Sequence, residues 1–252
     1  MTRVAIIAAM PGELKPLVRG WSHERRGNVE LWRWKFDEGE WIAACGGAGV
    51  DAATRAFAET EKDGAPDLVI SVGWAGALTP TLHPGRSYSN FGVIDARTGE
   101  RFDGDPVDES PRSQNRDPGH PVFWLVTSPI VANEMEKQRL AATYKADLVD
   151  MEAAAIARLA QMRSIPFHCF KGVSDGFTDK LPDFNRFIGP DGQFDLTRMV
   201  LFAILRPWYW PSLVRMGENS RKASQSIRDS LLDFLDERAY IRERNGYPNL
   251  KS

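Results

Sequence analysis

Three carboxylates at strand ends, Glu13, Glu152 and Asp175, are the residues in this sequence best placed for chemistry. Two of them lie in ADLVDMEAAAIARLAQMRSIPFHCFKGVSD, residues 146–175. ADLV reads as a short strand and Asp150 offers a helix N-cap. Met151 to Met162 is Ala-rich, free of Gly and Pro, and suits a tightly packed helix. Ser164-Ile165-Pro166 ends that helix, and FHCFKGV reads as a second strand. The pattern predicts a β-α-β unit with parallel strands and a right-handed crossover. Glu152 then comes after the first strand and Asp175 after the second, on the edge where open α/β sheets bind ligands. Carboxylates on such an edge can hold hydroxyls and move protons. The same spacing also suits a plainer role, in which Asp150 and Glu152 complement a helix N-terminus and Asp175 caps the next segment of chain.

The elements that must position these acids are legible in chain order. VAIIAAM is a continuous apolar run, as expected of a parallel strand covered on both faces. Met10-Pro11-Gly12-Glu13 turns out of it into a short helical segment, LKPLVRGW, which leaves Glu13 at a strand end; alone it would suit an exposed acid at a helix start. Residues 29–45 read as a hairpin around Asp37-Glu38-Gly39-Glu40. CGGAGVDAATRAFAETE is a helix opened by glycines. Its spacing is not G-x-G-x-x-G and it lacks an acidic ribose partner at the right distance, which argues against a dinucleotide site. PDLVISVGWAGAL is a buried strand running into a Gly-rich loop, where backbone N–H groups can approach an anion or a sugar. SYSNFGVID is a further strand. The polar stretch from Ala96 to Pro121 reads as a long loop, with His120 solvated at its end. VFWLVTSPIVANEMEKQRLAATY supplies another strand and helix.

Composition sets the outer limits. A chain of 252 residues with 42% hydrophobic residues can build one large α/β domain. A net charge of −2 gives no support for nucleic-acid binding. Cys45 and Cys169 fall in apolar, strand-like runs and read as buried free thiols of a reducing cytosol, without metal-site spacing. Pro11 and Glu13 cut the first apolar run short, so it reads as a buried strand and not a signal peptide. No run approaches the roughly 18 apolar residues of a membrane span. The expected location is the cytoplasm.

The residues themselves sharpen this picture. VDMEAAAIA followed by IPFHCFKGVSD resembles the signature half of the nucleoside phosphorylase and nucleosidase superfamily, including the methylthioadenosine/S-adenosylhomocysteine nucleosidases. The resemblance covers roughly residues 3–175. It implies a single three-layer α/β/α domain over 1–252 with a central mixed, largely parallel sheet, and a homodimer. It also implies Met151 under the sugar, Glu152 on its hydroxyls and Asp175 as general acid at purine N7, with Ser174 beside it. The nucleosidases carry a Met-Glu-Glu-Glu run whose last Glu activates the attacking water. This sequence keeps Met10 and Glu13 but places Pro11 and Gly12 between them. Between Gly73 and Ala75 the nucleosidases have Ser, where this chain has Trp74. The segment matching Ile130-Val131-Ala132-Asn133 presents the base-binding backbone and an aromatic ring; here Val131 replaces the ring. Gly73, Trp74, Val131 and Ala132 thus join the expected substrate contacts. No metal or cofactor is implied.

Beyond Asp175 the pattern changes, and residues 176–252 read as a variant C-terminal helical segment. Leu196 to Leu205 is a short, mostly apolar helix, followed by Arg206-Pro207 and the rings of Trp208, Tyr209 and Trp210. It suits packing against the domain or a subunit interface. It also suits a peripheral membrane anchor at the inner face, over residues 196–210, with Arg198, Arg206 and Arg215 as basic flanks. The tail LPDFNRFIGPDGQFD…LRPWYWP…NSRKAS resembles the hopanoid-associated phosphorylases of the same superfamily, whose substrate is an adenosyl group on a membrane triterpenoid.

Cleavage of a purine–ribose bond needs a neutralised leaving base and a tolerated sugar cation. Asp175 would protonate N7, its pKa raised by burial and nearby carboxylates; Glu152 would hold the 2′- and 3′-hydroxyls, and Glu13 would deprotonate water. The Gly73–Gly76 loop contains no Arg, which leans towards hydrolysis. Phosphorolysis, with phosphate as co-substrate held by Arg86, Arg97 and Arg101, is the alternative. A non-catalytic nucleoside-binding or membrane-recruited protein is another, with Trp74 and Val131 spoiling the chemistry.

Overall fold

In a computed structural model of the chain, residues 2–37, 39–89, 91–103 and 123–243 are described. The elements run β1 (Thr2–Ala8), α1 (Pro11–Leu14), β2 (Ser22–Arg26), β3 (Val29–Phe36), β4 (Gly39–Cys45), α2 (Val50–Glu61), β5 (Leu68–Ala77), β6 (Ser87–Ser89), β7 (Phe91–Asp95), β8 (Arg101–Phe102), β9 (Phe123–Thr127), α3 (Glu134–Tyr144), β10 (Leu148–Asp150), α4 (Ala153–Met162), β11 (Phe167–Asp175), α5 (Leu196–Ile204) and α6 (Trp210–Glu243). Most of the expected long loop, with His120, lies outside the described residues; its first part turns back through β8 onto β7.

β1 occupies the middle of a mixed sheet, parallel to β4 on one side and to β5 on the other, with Val4 opposite both Trp41 and Leu68. A strand so enclosed must be apolar on both faces, and its alternate side chains serve two cores. Val4 and Ile6 pack with Val72, Phe170 and, from α6, Ile227 and Leu231. Ala5 and Ile7 face the other way, onto Ala53 and Phe57 of α2 and Ile156 of α4. Helices therefore cover both faces, giving the three-layer α/β/α arrangement expected. The hairpin of β3 and β4 is present in antiparallel register, extended by β2.

The expected β-α-β unit is corrected. β11 runs parallel to β5, Phe167 opposite Val69, whereas β10 runs antiparallel to the end of β5, Leu148 opposite Ala77. The two strands flanking α4 thus meet β5 over different stretches and with opposite sense. A three-residue strand makes too few ladder bonds for its sequence to dictate its direction. The helix also starts later than expected. Glu152 is the N-cap residue of α4, and Asp150 reaches forward to accept the Ala153 N–H at 2.9 Å.

α6 is a structural part of one helix layer, packed directly on the sheet. Its Ala223 and Ile227 press on Gly172 of β11, where a side chain would collide with them. Leu231 and Leu235 extend the same core, and Ser226 and Ser230 bond the Ser87 hydroxyl of β6. Both cysteines are free and buried.

Candidate active site

Glu13, Glu152 and Asp175 converge on one cavity of about 260 Å³ at the carboxyl ends of β1, β5, β10 and β11. Trp74, Val131, Ala132, Met151 and Ser174 line it too. Gly73 lies just behind, with Glu13 seated over it: a Cβ on Gly73 would come 2.9 Å from Glu13 Oε1. The expected site residues are therefore gathered in one place.

Glu13 is buried and held by backbone donors. Its Oε2 accepts the N–H groups of Ala9 (2.9 Å) and Met10 (2.8 Å), and its Oε1 accepts that of Trp74 (2.7 Å). Burial pushes its carboxyl above the ordinary value, against the pull of those N–H groups and of the Lys171 charge. A carboxylate has about four acceptor positions, and three are used here.

Glu152 accepts the N–H of Gly49 at 2.7 Å, at the N-terminus of α2. Burial first, and the Asp150 charge second, push it up to about 8; Lys171 and the Gly49 N–H oppose them. Beneath it runs a buried polar chain. Lys171 Nζ lies 2.8 Å from Asp150 Oδ2, and Asp150 Oδ1 accepts the Thr127 hydroxyl at 2.7 Å. Burial lowers the Lys171 pKa, but Asp150, helped by Cys169 and Glu152, more than offsets this and raises it above the ordinary value. A lysine inside the apolar run FHCFKGV is a sequence signal that was readable, since such a charge must find a partner.

Asp175 ends β11, just after a register shift between Val173 and Asp175. In a regular strand neighbouring side chains point to opposite faces; the bulge lets Ser174 and Asp175 both reach the cavity. The Ser174 hydroxyl donates to Asp175 Oδ1. The Lys137 ammonium of α3 pairs with Asp175 Oδ2 and also donates to the Gly176 carbonyl at 2.6 Å. The charged group against Asp175 is therefore an ammonium and not the neighbouring carboxylate that sequence reasoning assumed. Lys137 is 1% exposed, and nothing in the polar run NEMEKQR marked it.

The Trp74 indole points towards α6, its N–H donating to Ser224 Oγ (2.9 Å) and the Ser220 carbonyl (3.1 Å). Its ring occupies the space a side chain at position 12 would need, 2.8 Å from a Cβ built there. One contact thus accounts for two departures from the nucleosidase pattern: with an indole at 74, position 12 must be glycine. The Val131 peptide is engaged as well. Its N–H donates to Asn185 Oδ1 (2.7 Å) and its carbonyl accepts from Asn185 Nδ2 (3.1 Å).

The expected phosphate arginines are elsewhere. Arg101 stacks on Trp124 at 4.9 Å and Arg97 lies 4.0 Å from Asp95, and neither they nor Arg86 line the cavity. A wider surface groove near β2 and β3 is lined by Arg3, Arg26, Arg33, Glu24, Glu40 and Asp63, which are joined in ion pairs.

On the tail side the wall is apolar. Phe184, Ile188, Phe194 and Met199 line it, and Met199 belongs to α5. α5 also carries Leu196, Val200, Leu201 and Ile204, all exposed, continued by Leu205, Trp208 (67% exposed) and Trp210 (51%). The segment packs against the domain in part, through Met199 in the cavity wall and Phe202 on Phe187, while these side chains face outwards. No helix among the described residues is long and apolar enough to cross a membrane.

Comparison with known proteins agrees with this geometry. Among curated protein sequences nothing matches the chain. The fold is similar to that of the Helicobacter pylori 5′-methylthioadenosine/S-adenosylhomocysteine nucleosidase, with a TM-score of 0.67 and 15% identity over 94% of this chain and 98% of that one. It is similar to the futalosine hydrolase of the same organism, with a TM-score of 0.66 and 16% identity over 94% and 98%. A putative 5′-methylthioadenosine/S-adenosylhomocysteine nucleosidase of Francisella philomiragia gives 0.68 and 15%, over 94% and 99%. The sequence model of the phosphorylase superfamily matches residues 3–89 and 112–194, stopping just before α5. The chain belongs to the phosphorylase superfamily.

Proposed function

We propose that the protein hydrolyses the N-glycosidic bond of an adenine nucleoside and releases adenine. The observation that carries this reading is the convergence of Glu13, Glu152 and Asp175 on one largely apolar cavity. Glu13, with one acceptor position still open and a pKa raised by burial, suits a base that orients and deprotonates a single water. Glu152 offers oxygens to two sugar hydroxyls, and its charge favours the cationic sugar as the bond breaks. Asp175 serves the leaving base, and Met151, Ser174, Gly73, Trp74, Val131 and Ala132 shape the space between. Hydrolysis is favoured over phosphorolysis because Lys137 is the one basic residue among the described cavity lining, and it is already committed to Asp175.

The finer reading concerns the 5′-substituent. The apolar wall formed by Phe194 and Met199 backs directly onto the exposed face of α5. That continuity supports a lipid-linked adenosyl substrate, such as adenosylhopane, reached from a membrane surface that α5 and the rings of Trp208 and Trp210 contact from the cytoplasmic side. We read the working form as a homodimer.

The test is adenine release from a panel of 5′-substituted adenosines, including a lipid-linked one, with and without phosphate. The expected products are adenine and the free sugar in phosphate-free buffer. Strict phosphate dependence, with Glu13→Ala harmless, would make the protein a phosphorylase instead. Binding without release of base from any substrate would leave a nucleoside-binding protein.

A further inference from the structure

We propose that Lys137 is the proton store for the leaving base, acting through Asp175; this rests on the nucleosidase reading above. Lys137 sits in the first turns of α3, yet its ammonium is buried at the end of β11. Its partners there are Asp175 Oδ2 and the Gly176 carbonyl. A lysine bears a steep cost when taken out of water, and where a buried ion pair needs only a fixed charge the usual partner is Arg, which keeps its proton. The Ser174 hydroxyl occupies the other oxygen of Asp175, so the carboxylate is fixed between one neutral donor and one donor that can give up its proton. Both Lys137 and Asp175 line the cavity.

Electrons and protons balance in this step. The C1′–N9 bond breaks and its electron pair goes to the base. The Nζ–H bond of Lys137 breaks and its proton passes to the Asp175 carboxylate, from which the base takes a proton at N7, so that Asp175 ends the step as the carboxylate it began as. Lys137 is left as a neutral amine. Glu13 gains one proton from the attacking water, and Lys137 regains one from solvent, so no net proton is consumed once Glu13 releases its own.

The experiment compares Lys137→Gln and Lys137→Arg with wild type on two substrates, adenosine and 4-nitrophenyl riboside. The nitrophenolate leaves without a proton, so its release reports an intact, folded site. Gln keeps a donor towards Asp175, and Arg keeps the charge, but neither can hand over a proton. Both variants are expected to lose about 10²-fold or more in kcat on adenosine, the usual worth of a general acid, and less than about tenfold on 4-nitrophenyl riboside. Restoration of adenosine cleavage by Lys137→Arg would overturn the proposal and reduce Lys137 to a fixed charge. Equal losses on both substrates would overturn it too, as mere damage to the site. Wild-type protein inert on both substrates would instead sink the nucleosidase reading itself.

Discussion

The carboxylate rim and α5 border the same cavity and obey opposite rules. On the rim every charged group is buried and has a partner: Glu13 three backbone N–H groups, Asp175 an ammonium and a hydroxyl, Glu152 the N-terminus of α2. On α5 most apolar groups face outwards, Leu196 at 60% exposure. The rim lies within the superfamily match and α5 lies beyond it. The difference is physical: charges that take part in a reaction must be held in place by partners, a constraint that exposed apolar side chains do not carry.

Breaking the rim should be costly in turnover. Asp175→Asn should lower base release by about 10²–10⁴-fold. It should also lower the melting temperature, because Lys137 is left buried without its anion. Near-normal turnover in steady-state assays would remove Asp175 from the mechanism.

Glu152→Gln should act on the sugar. Ribose substrates should lose more than 2′-deoxyribose substrates, since a lost acceptor matters most where both hydroxyls are present; equal losses in kcat/KM would exclude it as the ribose ligand. Its pH behaviour is a second check. Burial and Asp150 move Glu152 from its ordinary 4.5 up to about 8 in the folded chain. Its contribution to stability is therefore complete below about pH 4.5 and is lost as the pH rises through about 8. Melting temperature should fall more for wild type than for Glu152→Gln across that window, while wild-type kcat/KM climbs towards pH 8 as the carboxylate charges.

The tail predicts the smallest effect on chemistry. Replacing Trp208 and Trp210 with Ser should leave cleavage of small soluble adenosines unchanged but release the protein from anionic liposomes in sedimentation. Wild-type protein that ignores liposomes, with a double variant that dissociates into monomers, would make the face a subunit contact.

Much of the rim was legible because apolar runs ending in turn residues announce strand ends, and acids placed there stand out. Trp74 and Gly12 were visible as separate oddities, but nothing in their spacing joins them. Lys137 was hidden because a buried lysine on a polar helix looks like any solvated one. The direction of β10 was hidden too, since periodicity specifies a strand but not the sense of its pairing. The weight of α6 in the core could not be read from its mixed composition, although Ala223, Ile227 and Leu231 recur at helical spacing.

The indole of Trp74 has a consequence for how this site can vary. Its ring is pinned by two hydrogen bonds to α6 and fills the volume above Gly12. Any side chain at 12 meets a wall that cannot swing aside, and a small residue at 74 leaves a void over a bare glycine. Positions 12 and 74 are therefore locked epistatically. Each single change towards the nucleosidase residues should be harmful, and the paired change much less so, which makes the strand-end turn and the Gly-rich loop a single heritable unit.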